Sequence, residues 1–181
     1  MPFDLSHFTP EVAALLQDAD TRLMPLTKES ARRDQATSLL NTPVRNLFPQ
    51  ARSSEASLAG LLLYLGYWSD AHEVAQEIET PEGSYWHAIV HRMEPDAWNS
   101  KYWFQRVGDH PIFPDLLKAA NAITAKGTDR MMQMGSQWSP TAFIDFCEEA
   151  RQLPGSSRER IATEIQQAEW GLLMNWCARP R

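Results

Sequence analysis

The chain has 181 residues, 43% apolar and 22% charged, enough for one soluble globular domain with a sizeable core. A formal charge of −6 and a pI near 5.3 exclude a general nucleic-acid binder, which needs a basic face. The longest apolar run, residues 61–65, is far short of a membrane span, and Met1-Pro2-Phe3-Asp4 lacks the basic start of a secretion signal, so we expect a cytoplasmic protein with no membrane partner.

The first helix signal is Thr9-Pro10-Glu11: a capping Thr, a Pro at the first helical position and an acid in the first turn. Val12, Leu15, Leu16, Ala19 and Leu23 follow at helical spacing, and Pro25 ends the run. Residues 28–40 read as a polar helix. Residues 41–54 contain Pro43 and Pro49 and read as a loop with one helical turn around Leu47. Residues 54–67 are apolar on every side, which predicts the buried central helix of the fold, with Gly60 and Gly66 allowing close neighbours. Ser69 or Asp70 is expected to cap the next helix, with Glu73 completing a capping box from Asp70. Ala71, Val74, Ala75 and Ile78 form its inner stripe, and His72 lies on a different face.

Thr80-Pro81-Glu82 repeats the first start signal, and Pro95 is the expected stop. Between them Trp86, Ile89, Val90 and Met93 recur at helical spacing and should face the core. His87, His91 and Glu94 form a second stripe beside them. Four residues of helix rise ~6 Å, so two imidazoles one turn apart can converge on one ion. A further helix starts at Asp96 or Asn99, carries Lys101, Tyr102, Trp103, Phe104 and Arg106, and closes at Gly108. Pro114 opens a helix to about Ala125, closed by Gly127. Residues 127–137, with Met131, Met132 and Met134, fit no single pattern. Ser139-Pro140 starts a helix stopped by Pro154-Gly155, and Ser156 with Glu159 is a capping box for the last one. No segment alternates as a strand does. The expected fold is therefore all-α: a single domain over residues 1–181 of about seven or eight helices, an irregular bundle around residues 54–67.

His87 and His91 are the candidate metal ligands, because neutral imidazoles at this spacing suit a divalent transition metal such as Zn, Fe, Ni or Cu. Position 88 is Ala, so the built-in base of HExxH enzymes is absent. A third ligand has to come from Glu94, His72 or His110. His72 is preferred, because the short connection at 79–82 should set its helix antiparallel to the next. Beside the pair, Asp96, Asn99, Lys101, Tyr102 and Arg106 are candidates for a small-molecule site, a Lys and an Arg on one helix suiting a carboxylate or phosphate. Tyr85, Trp86, Tyr102 and Trp103 read either as a stacking wall or as core. Cys147 and Cys177 fall in helical patterns and read as reduced, structural thiols.

The block GLLLYLGYWSDAHEVAQEIETPEGSYWHAIVHRMEPDAWNSKYWFQRVGDHPIF resembles an uncharacterised family of small soluble proteins. That family shares a Pro-Glu-Gly-x-Tyr-Trp-His start, then His-Arg-x-Glu-Pro-Asp and Lys-Tyr-Trp-Phe. The resemblance covers about residues 60–114 and implies a place of interest but no activity. Two function classes follow from the residues. One is a metal-binding protein or metal-dependent enzyme, hydrolytic in the simplest case, centred on His87 and His91. The other is a non-enzymatic helical module in which the same stretch is core packing plus a groove for a ligand or a protein. Neither reading sets an oligomeric state.

Overall fold

The computed structural model describes residues 4–28, 39, 41–125 and 135–180. Among these residues there are nine α-helices, a 3-10 turn at Leu5–His7, and no strand. The helices are α1 Pro10–Leu15, α2 Val44–Leu47, α3 Ser54–Tyr64, α4 Trp68–Gln76, α5 Pro81–Met93, α6 Ala97–Val107, α7 Phe113–Thr124, α8 Pro140–Arg151 and α9 Ser157–Ala178. Almost all of the expected 28–40 helix, Gly127 and the three Met of 131–134 lie outside the described residues.

The cap signals explain most helix starts. Thr9, Ser53, Thr80, Asp96, Ser139 and Ser156 each accept a hydrogen bond from the backbone N–H three residues on, from Val12, Ala56, Gly83, Asn99, Ala142 and Glu159 respectively. Two expectations are corrected. The helix α4 starts at Trp68 without a side-chain cap, so Ser69 and Asp70 lie inside its first turn and no Asp70–Glu73 box forms. Its start is set by the chain before it: Gly66 (φ 82°) closes α3 in a Schellman turn, with Tyr67 N–H donating to the Leu62 carbonyl at 2.9 Å and Gly66 N–H to Leu63 at 3.1 Å. The second correction is α1, which ends at Leu15 rather than near Pro25 and leaves Leu23 exposed. Gln167 on α9 is the physical reason. Its side chain donates to the Ala19 carbonyl (2.9 Å) and accepts from Met24 N–H (3.1 Å), tying this segment to α9 instead of to a continued helix.

The helix α3 packs on α2, α4, α5 and α9, and every residue from Ala59 to Tyr64 is buried. It is joined in the interior by α5, which is buried from Gly83 to Val90 and packs most extensively on α6. A second apolar cluster lies between α7, α8 and α9, around Leu116, Phe143, Cys147 and Ile165. Phe113 and Leu172 touch both clusters and join them. Cys147 and Cys177 are both buried and unpaired. Burial pushes the Cys147 thiol up to about 12, which removes it as a nucleophile.

Gly60 is where α3 and α5 meet. A Cβ there would stand 2.6 Å from Cζ2 and 2.9 Å from Cη2 of Trp86, itself fully buried. The Gly60 carbonyl also accepts from the Trp170 indole N–H at 2.9 Å. Helix propensity alone would make Gly60→Ala stabilising by about 1 kcal/mol. Overpacking a rigid indole costs typically ~1–3 kcal/mol, so the expected outcome is a net loss, read as a lower thermal midpoint. A raised midpoint would mean that Trp86 can move aside.

Candidate metal centre

The hairpin of α4 and α5 brings three imidazoles together. His72 lies on α4, and His87 and His91 lie one turn apart on α5. The Nε2 of His87 is 2.8 Å from Nε2 of His72 and 3.1 Å from Nε2 of His91. One ligand atom from each residue fits within 4.8 Å of the other two, a grouping that can hold a metal ion. His87 is 4% exposed, and the other two are half-buried.

The walls are aromatic. The Trp68 indole stacks on His72 with ring centroids 5.4 Å apart and planes 6° from parallel. Trp103, on α6, lies against His87 with centroids 4.1 Å apart. Behind His91, its Nδ1 is 3.9 Å from a carboxylate oxygen of Glu94 and 3.9 Å from one of Asp96. Lys28 completes this edge, 3.6 Å from Glu94 and 4.8 Å from the centre of the Trp68 ring. The Nδ1 of His87 is buried without a hydrogen-bond partner.

Burial and neighbouring charge disfavour protonation of two of these imidazoles, His87 and His91. Burial, and then the neighbouring His72 and His91, lower the His87 pKa to about 3. Burial and His72 also lower His91, against the opposite pull of Asp96 and Glu94. A second buried imidazole, His110, is lowered to about 4 by burial. These shifts set a pH dependence. Folded pKa values below the ordinary 6.5 mean that the unfolded chain takes up protons first. Stability should therefore be full above 6.5 and fall as pH drops from there toward about 4 and then about 3. Thermal melts of chelator-treated protein across that range check the sign, and a midpoint that rises on acidification would contradict it.

The other candidate residues are engaged separately. Asp96 caps α6, accepting from the Asn99 backbone at 3.2 Å and from the Asn99 side-chain amide at 2.6 Å. Lys101 is paired with Asp145 on α8 at 2.5 Å. Arg106 is exposed and lies 5.3 Å over the Trp103 ring. Tyr102, 43% exposed, stacks parallel to Trp98, which is 75% exposed. Glu94 stands at the Nδ1 side of His91, away from the three converging nitrogens. His110 sits elsewhere, between Tyr85, Phe113 and Trp176. Tyr85 and Trp86 are fully buried, which makes them core and not a stacking wall.

Trp68 and Lys28 were not singled out from the sequence. Trp68 carried a usable signal, since it is one helical turn before His72 and must share its face. Lys28 comes from a distant segment, and no local pattern places it here. No family profile, curated protein or solved structure matches the chain.

Proposed function

We propose that the chain is a metal-binding protein whose centre is His72, His87 and His91. The observation that carries this reading is the convergence of the three Nε2 atoms, at 2.8 and 3.1 Å along the chain of contacts. The three rings bring their Nε2 atoms into mutual contact, His87 lying between His72 and His91. A proton can bridge only two of them, and burial disfavours it. A divalent ion meets all three. Zinc held at ~2.0–2.1 Å from each nitrogen in a tetrahedral set would separate those nitrogens by roughly 3.3 Å, a few tenths of an ångström from the two spacings of His87 to His72 and to His91, and all three ligand atoms lie within 4.8 Å of one another.

Three protein ligands leave a fourth position free, which is the pattern of catalytic rather than closed structural sites. The chemistry such a centre supports most directly is hydrolysis by a metal-activated water, so a metal-dependent hydrolase is the enzymatic form of the proposal. Glu94 and Asp96 stand 3.9 Å from the Nδ1 of His91, near enough to act on its charge but not hydrogen-bonded to it. The second reading is a helical binding module, favoured by the parallel, exposed rings of Trp98 and Tyr102 on α6.

Metal analysis of untagged protein separates the two. The expected result is about one transition-metal ion per chain. His87→Ala is expected to lose more than the roughly 10–100-fold in affinity that removing a partner behind a ligand costs. A folded wild-type chain that takes up no zinc, iron, nickel or copper would leave the binding-module reading.

A further inference from the structure

We propose, resting on the metal reading above, that the fourth position of the centre takes a small anion, a carboxylate or an oxyanion, in preference to a neutral ligand. Charge balance carries the inference. The three converging side chains are neutral imidazoles, so a bound dication keeps its full charge. The convergent group contains no carboxylate or thiolate. The two nearest carboxylates are turned to the other nitrogen of His91. Each of them is also committed elsewhere, Glu94 to Lys28 and Asp96 to both nitrogens of Asn99.

The surroundings sharpen the demand. His87 is 4% exposed, and the indoles of Trp68 and Trp103 cover the outer faces of His72 and His87. Water screens such a site poorly, and an uncompensated charge is costly there. An arriving anion displaces the water on the metal, neutralises part of the charge, and creates no new unpaired group. A neutral amine displaces the same water and leaves the charge as it was.

Cobalt(II) in place of the native metal gives visible bands that report its coordination. The apo protein should bind about one cobalt per chain. Azide and acetate should then shift the bands saturably, with one anion per metal, and imidazole should bind at least tenfold more weakly than azide. The Lys118→Ala protein, changed on the exposed side of α7, should respond as wild type does. Cobalt bound at one per chain with bands unmoved by azide and acetate would overturn the anion proposal and leave the metal centre standing. Imidazole binding as tightly as azide would overturn it too. A folded protein that binds no cobalt would overturn the metal reading itself, and this proposal with it.

Discussion

Leu62→Asp is expected to yield no folded protein. Leu62 is 1% exposed on α3, inside the shell made by α2, α4, α5 and α9. Removing a buried Leu side chain costs about 2–5 kcal/mol by itself. The introduced carboxylate adds the cost of desolvating a charge with no partner, several kcal/mol more. A domain of this kind has a total stability of only about 5–15 kcal/mol. The sum of the two losses reaches that range, so soluble yield should collapse. Leu62→Ala, which carries only the first loss, should fold and melt earlier than wild type. A cooperative melt of Leu62→Asp near the wild-type midpoint would mean that this face of α3 is not enclosed.

The helices were legible because their end signals are local. Thr9-Pro10, Thr80-Pro81, Ser139-Pro140 and Ser156 act on N–H groups within the next turn, and the structure uses all four. Where a distant residue decides, local reading stops. Nothing in residues 9–25 announces that Gln167 will claim the backbone at Ala19 and Met24. The capping box expected at Asp70 fails because Gly66 ends α3 so tightly that the next helix is already running at Trp68. Gly83 gives no such local signal, and its reason is steric. A Cβ there would collide with the carbonyl oxygen and side chain of Ile78 at the end of the preceding segment, so only glycine lets α5 start this close to it.

The same division runs through the site. His87 and His91 share a face by helical period, and the short connection between α4 and α5 brings His72 across to them; both steps follow from sequence spacing. The roles of the residues behind them do not. Asp96 was read as a cap and a ligand-site residue, yet it also stands 3.9 Å from the His91 ring, because α6 folds back at Pro95 along α5. Arg92, next in the chain to His91, gave no signal at all. Arginine on a helix is ordinarily a solvated residue, and only the fold reveals that its partner is Glu169, far along the chain on α9.

Glu169→Ala is expected to cost about 3–5 kcal/mol, the typical loss when one member of a buried ion pair is removed. Arg92 and Glu169 are both fully buried, and the guanidinium donates directly to the carboxylate. Glu169 also accepts from the Tyr85 hydroxyl at 3.0 Å. The Arg92 Nε donates to Gln166 at 3.3 Å, and Gln166 in turn donates to the Pro25 carbonyl at 2.6 Å. Taking Glu169 away leaves a buried guanidinium with no counter-charge and only its Nε bond to Gln166, and a buried phenol with no acceptor. Neither can reach water without opening the contact of α5 with α9. The pair's own contribution is a separate quantity, because burying both charges costs much of what their attraction returns. The two are separated by Arg92→Met and Glu169→Leu, singly and together, in urea unfolding. Each single change should be strongly destabilising. The double change should cost less than the sum, since it leaves no buried charge alone and only the Tyr85 hydroxyl and Gln166 without their former partners. Costs that simply add would mean that Arg92 and Glu169 do not hold one another. In that case α5 would owe its position, and the alignment of His87 with His91, to the apolar packing around Trp86 and Trp170.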